Sequence, residues 1–230
     1  MEQTLAHWSP PPLPPRTPLR GRYATLEPLA PDHAAGLRAA HAEDTKDAMW
    51  RHLPVGPFDD AGYAAWVEAN RILHDPLHYA VRMQDGRLGG TLSLMRITPA
   101  AGTIETGWLT FAPRLQRSRE ATEAVYLLMQ WSFEAGYRRF EWKCDAANRA
   151  SRRAAQRFGL SYEGIFRQAA VVKGRNRDTA WFAAIDGEWP RLRAAFETWL
   201  DPANFDAGGT QKIRLADLTA PILAARDPAL

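Results

Sequence analysis

Cysteine is all but missing: Cys144 stands alone among 230 residues. Without a second thiol the chain can form no intrachain disulfide and no cysteine zinc cluster, and Cys144 itself reads as a small buried apolar residue. The six histidines show no metal-ligand spacing, so no metal is assigned. No apolar run approaches the roughly 20 residues that cross a bilayer, because charges or prolines interrupt each candidate, and no membrane partner is expected. Residues 1–15, MEQTLAHWSPPPLPP, carry no basic stretch ahead of an apolar one, so they do not read as a secretory signal and cytoplasmic residence is the expectation. Blocks of like charge are lacking too, since 29 Lys and Arg face 26 Asp and Glu for a net charge of +3. That balance licenses only weak attraction to anions. Arginines do gather at Arg114, Arg117 and Arg119, at Arg149, Arg152 and Arg153, and at Arg175 and Arg177. They suit phosphate, but aromatic residues do not interleave with them, so no nucleic-acid partner is expected.

What remains is a chain that is 46% hydrophobic, without internal repeat or linker, which implies one globular domain. Prolines crowd residues 10–18 and exclude a helix, so residues 1–20 read as an extended arm. Residues 22–29, RYATLEPL, alternate as a first strand. Asp32 is placed to cap a helix over residues 34–42, and Asp59-Asp60 precede an amphipathic helix containing Tyr63, Trp66, Val67 and Ile72. Residues 78–83 and 88–97 flank the turn Asp85-Gly86 and predict a hairpin. Residues 104–111 predict a strand ended by Pro113, and residues 121–135 a largely buried helix. Residues 140–144 follow as a short strand, 151–158 as a short helix ended by Gly159, 162–173 and 178–185 as strands, and 189–200 as a last helix. Residues 201–230 show no firm pattern and read as a tail that docks on a neighbour.

Between the strand over 104–111 and the buried helix lies Arg114-Leu115-Gln116-Arg117-Ser118-Arg119-Glu120-Ala121-Thr122-Glu123. At a helix N-terminus the first NH groups lack partners and the peptide dipoles favour negative charge, so such a loop is a seat for a pyrophosphate. Arg117 and Arg119 would add charge-assisted bonds to it.

This stretch resembles the shared motif of the GNAT acetyltransferases: Gln or Arg, any two residues, Gly, any residue, then Gly or Ala. Gln116 and Ala121 match its ends, while Arg119 stands at its first glycine. Ala121-Thr122-Glu123-Ala124 resembles the helix opening of the RimJ/RimL-like branch, which acetylates ribosomal-protein N-termini. About 30 residues on, Asn148-Arg149-Ala150-Ser151-Arg152-Arg153 leads a short helix ending in Gly159-Leu160, again as in that branch. Two motifs in order with the right elements between them are more specific than either alone.

The resemblance covers about residues 22–200 and implies an α+β fold, a single GNAT domain over residues 21–200. Its sheet would be mixed and mostly antiparallel, with two splayed central parallel strands and helices on both faces. It implies an N-acetyltransferase that moves the acetyl group of acetyl-CoA to a primary amine, a protein N-terminus or a small molecule, through a tetrahedral intermediate. A non-catalytic coenzyme A-binding relative is the alternative, because Arg119 replaces a glycine. Self-association as a homodimer is left open.

Acetyl-CoA would lie between the splayed strands along Leu109 and Phe111. Its phosphates would meet Gln116, Arg117, Ser118, Arg119, Glu120, Ala121 and Thr122, with Asn148, Ser151 and Arg153 completing the site. Asn148 is equally placed to cap a helix, and so is Ser151, the candidate acid for the departing thiolate. An ammonium has no lone pair and needs a base; Glu105 is the choice, with Glu141 and Asp145 as rivals. Of nine tryptophans most read as core, while Trp50 and Trp108 are candidates to line the amine pocket.

Overall fold

The computed structural model describes residues 5–230. Its eight strands are β1 (Leu19–Arg20), β2 (Ala24–Pro28), β3 (Leu77–Met83), β4 (Leu88–Thr98), β5 (Thr103–Phe111), β6 (Arg139–Asp145), β7 (Ser161–Val172) and β8 (Arg175–Ile185). They form one sheet in the order β1-β2-β3-β4-β5-β6-β8-β7. Every pairing is antiparallel except β5 with β6. The helices are α1 (His33–His41), α2 (Asp60–Arg71), α3 (Arg119–Glu134), α4 (Arg149–Arg157), α5 (Trp189–Leu200) and α6 (Leu215–Thr219). The expected α+β architecture is therefore the observed one, including the central parallel pair.

Period-two alternation sends successive side chains to opposite faces, so the sheet carries two cores. On β3, Leu77, Tyr79 and Val81 enter the larger one with Val125, Leu128 and Met129 of α3 and Leu192 and Phe196 of α5. Ala80 instead joins Leu37 of α1 with Tyr63 and Val67 of α2 on the other face. Each fully buried Leu, Val or Phe in these layers contributes about 1.5–3 kcal/mol relative to exposure.

The first strand is shorter than its alternation predicts. The buried carboxylate of Glu123 accepts from the NH groups of Arg22, Tyr23 and Ala24 at 2.8, 2.6 and 2.7 Å, which folds residues 20–24 into a turn between β1 and β2. Asp32 is not the cap that was expected. It sits in helical geometry (φ −67°, ψ −15°) and makes no side-chain cap bond. Asp59 does cap α2, accepting from the Gly62 NH at 2.7 Å. Gly159 ends α4 at φ +85°, where a Cβ would meet Leu192 at 2.3 Å.

Both terminal segments lie on this body. Tyr137 donates to the Pro12 carbonyl at 3.0 Å, and residues 9–18 run without helix. Beyond α5, Leu215 and Thr219 are fully buried, and Asp227 closes a two-point ion pair with Arg152 of α4 at 2.7 and 2.6 Å. No helix is long and apolar enough to cross a membrane among the described residues.

Candidate functional site

The parallel ladder is short. β5 pairs with β6 from Thr103–Arg139 only to Thr106–Trp142. Its end coincides with an irregularity on the other edge of β5: Thr110 pairs with Thr91 and Gly107 with Ser93, so Trp108 and Leu109 together oppose Leu92. Trp108 takes φ +53°, and such a bulge bends its strand. β5 thereby leaves β6, and a cavity of about 430 Å³ opens between them.

Alternation assigns the lining of this cavity. Trp142 and Cys144 point to the α4 side, where Asn148 and Ser151 meet them, while Glu105, Lys143, Thr179 and Trp181 share the opposite face and Met49 and His52 form part of the rim. Register puts Glu105 directly across from Glu141. Lys143, two residues on, reaches both: its Nζ lies 2.9 Å from Glu105 and 2.7 Å from Glu141. It also sits 3.8 Å above the Trp181 ring. Arg96 approaches the same Glu105 oxygen at 3.3 Å. Burial pushes the Glu105 carboxyl up, against the pull of Lys143. Burial acts on Glu141 in the same sense, but bonds from Arg139 and Lys143 outweigh it and hold that group below the usual range.

On the α4 side, Asn148 caps the helix, its Oδ1 accepting from the Ser151 NH at 3.1 Å. The Ser151 hydroxyl accepts from Trp142 Nε1 at 3.0 Å, so its own proton is left to point elsewhere. Burial pushes the neighbouring Cys144 thiol up to about 11, which keeps it protonated and unreactive. At the rim, His52 Nδ1 stands 2.9 Å from Asp145 Oδ2.

The loop ahead of α3 is held by contacts of its own side chains. Ser118 caps α3, accepting from the Ala121 NH at 3.0 Å, so the NH groups of Arg119 and Glu120 are the free donors of that first turn. Arg117 is exposed and holds φ +61°. Gln116 donates to the Phe111 carbonyl at 2.8 Å, tying the loop to the end of β5. Arg119, expected to bind phosphate, lies 4.9 Å from the Tyr23 ring and 4.8 Å from that of Phe205. Residues 201–230 supply Phe205, a partner that local reading of the loop does not contain. Thr122 is buried and accepts from Arg157 at 3.2 Å.

Of the expected amine-pocket residues, Trp108 lines the cavity beside Leu109, whereas Trp50 does not. Trp50 is buried in the smaller core, edge-on to His41 at 5.3 Å and to Phe58 at 5.5 Å. Arg153 is exposed on α4. Sequence reasoning missed His52, Lys143, Arg177 and Trp181. The alternation Arg177-Thr179-Trp181 along β8 was the available signal for two of them; the placement of His52 depends on a loop without pattern. Among the described residues no group of three or more His, Cys, Asp or Glu could hold a metal ion.

A family profile described as acetyltransferase (GNAT) domain matches residues 24–161. A GCN5-related N-acetyltransferase from Brucella melitensis is 45% identical, with 94% of this chain and 100% of that one covered at a TM-score of 0.90. A protein from Chromobacterium violaceum, described as a probable acetyltransferase of the GNAT family, is 42% identical over 83% of this chain and 96% of its own, at 0.77. The ribosomal L7/L12 alpha-N-protein acetyltransferase RimL, solved with coenzyme A, shares the fold at 22% identity, with 74% and 98% covered and a TM-score of 0.64. Among proteins of curated function none matches.

Proposed function

The chain belongs to the GNAT acetyltransferases, and on that footing we propose that it transfers the acetyl group of acetyl-CoA to a primary amine, a peptide N-terminus or a small molecule. The observation that carries this reading is the cavity between β5 and β6, which opens where their ladder stops. It is reached from the α4 side at Ser151 and from the other face at Glu105.

The residues present suit the donor. The edge of β5 past Thr106 is unpaired toward β6, so the main chain around Leu109 is open to an extended amide-bearing arm, while the Phe111 carbonyl is held by Gln116. The free NH groups of Arg119 and Glu120, with the main chain around Ala121 and the exposed Arg117, offer an anion seat at the α3 N-terminus. When bound, acetyl-CoA supplies a thioester, an acyl group already joined to a fair leaving group. Ser151 is the donor of a proton to the departing sulfur, because Trp142 occupies a lone pair of its oxygen and leaves the hydroxyl's own proton to be donated. Glu105 and the His52–Asp145 pair both face the cavity as candidate acceptors of the amine's proton.

The test is release of free coenzyme A thiol over a panel of amines: seryl and alanyl tripeptides, a polyamine and an aralkyl amine. Turnover with at least one is expected. Tight acetyl-CoA binding without turnover on any of them would replace this reading by that of a coenzyme A-binding protein. Ser151→Ala should lower kcat by about tenfold or more while leaving the Kd of acetyl-CoA within about twofold. A variant that loses only thermal stability would reduce Ser151 to a partner of Trp142.

A further inference from the structure

A base for the amine must take up a proton, and the surroundings of Glu105 oppose that. Its Oε2 stands between Lys143 at 2.9 Å and Arg96 at 3.3 Å, two cations that favour the ionised carboxylate over the protonated one. His52 is in the opposite situation. Its loop follows a 3-10 turn, Ala48–Trp50, and Lys173 from the β7–β8 turn donates to the carbonyls of Trp50 and Gly56, both at 3.0 Å. The loop is thus pinned on either side of His52, at the cavity wall.

Asp145 orients the ring. One of its oxygens meets His52 Nδ1 at 2.9 Å and the other accepts from the Ala147 NH at 2.8 Å. An ionised carboxylate only accepts, so Nδ1 carries the hydrogen and Nε2 presents a lone pair. Among the described residues Nε2 has no hydrogen-bond partner, and a carboxylate behind an imidazole is the arrangement that fixes a histidine base in tautomer and orientation. The Asp145 carbonyl also accepts from the Asn148 NH at 2.8 Å, so the pair belongs to the same β6–α4 turn that presents Asn148 and Ser151. Among the described residues the other charged groups lining the cavity are Arg96, Glu105, Lys143 and Arg177, and the carboxylate paired with His52 is Asp145.

We propose that His52, oriented by Asp145, is the catalytic base of this chain, an assignment that rests on the transferase reading. His52 Nε2 takes the first proton from the ammonium and passes it to solvent, which frees the nitrogen lone pair. The nitrogen then forms the C–N bond to the acetyl carbon as the C–S bond breaks, and its second proton ends on the departing sulfur through the Ser151 hydroxyl. Asp145 is a positioning residue.

The experiment uses the full chain with acetyl-CoA and whichever panel amine turns over fastest. His52→Gly should lower kcat by roughly 10²–10⁴-fold, with the Kd of acetyl-CoA within about twofold, and added imidazole should restore much of the rate. Rescue by imidazole is a readout that a merely structural role would not move. Glu105→Ala should not respond to imidazole. The nitrogen-15 spectrum of the wild-type imidazoles provides a second test, expected to show His52 protonated at Nδ1, with that tautomer lost in Asp145→Asn. A His52→Gly variant within about tenfold of wild type, formate rescue of Glu105→Ala beside an active His52→Gly, or a His52 ring protonated at Nε2 would each overturn the assignment while leaving the transferase reading intact. Absence of wild-type turnover on every amine would overturn both together.

Discussion

Replacing Asp227 by Asn tests whether the last residues of the chain are part of the fold that carries the site. The Asp227 side chain is fully buried and that of Arg152 is 7% exposed, and the two meet through a pair of bonds at 2.7 and 2.6 Å. Arg152 has one further anchor, the Ala146 carbonyl at 2.9 Å. The Asn variant keeps the shape and removes the charge, leaving a guanidinium in a dry site without its counterion. Breaking a buried pair from one side costs about 3–5 kcal/mol, and at about 2–4 °C per kcal/mol for a chain of this size the melting temperature should fall by roughly 10 °C. Urea unfolding of the wild type and Asp227→Asn would measure the loss at unchanged m. The control is Arg152→Met combined with Asp227→Leu, which removes both charges and should recover most of the stability, because an apolar pair of similar size has no desolvation to offset. A loss below about 1 kcal/mol for Asp227→Asn would refute the reasoning and mean that the pair is solvated.

Stability should also fall with acidification through His41. Tyr63 donates to its Nδ1 at 2.9 Å, its Nε2 meets the Thr110 carbonyl at 3.0 Å, and burial lowers its pKa from 6.5 to about 4. The unfolded chain takes up that proton below 6.5 and the native one does not, so the contribution is complete above 6.5 and shrinks as the pH drops toward 4. Between pH 7 and 5 this amounts to about 2 kcal/mol, and His41→Gln should show a correspondingly shallower pH dependence in denaturant titrations; an unchanged slope would contradict it. At the α3 N-terminus, Ala121→Leu should raise the Kd of acetyl-CoA by about tenfold or more, about 1.4 kcal/mol by calorimetry. An unchanged Kd would move the phosphates away from this turn.

Most elements were legible in the sequence, since strands of period two and helices of period 3.6 announce themselves locally. Helix α5, Trp189–Leu200, begins and ends where the pattern puts it. The cap at Asn148 was recognisable as well, because a motif joined to a helix start has a local geometry; the cap at Ser118 was not read from the sequence. Side-chain surroundings were less legible than elements. Trp50 packs edge-on to His41 and Phe58 through the folding of one loop, and Arg119 lies over Tyr23 and Phe205, residues far from it in sequence.

The sequence by itself determined the order of elements, the family and the stretch that opens α3, all of which depend on neighbours within a few residues. Only the tertiary structure decided which charges remain free to act. The parallel register that sets Glu105 against Glu141 brings Lys143 onto both, and the pinned loop that lays His52 on Asp145 joins residues 93 positions apart. Such pairings follow from strand register and loop closure, and nothing in the spacing of residues along the chain encodes either.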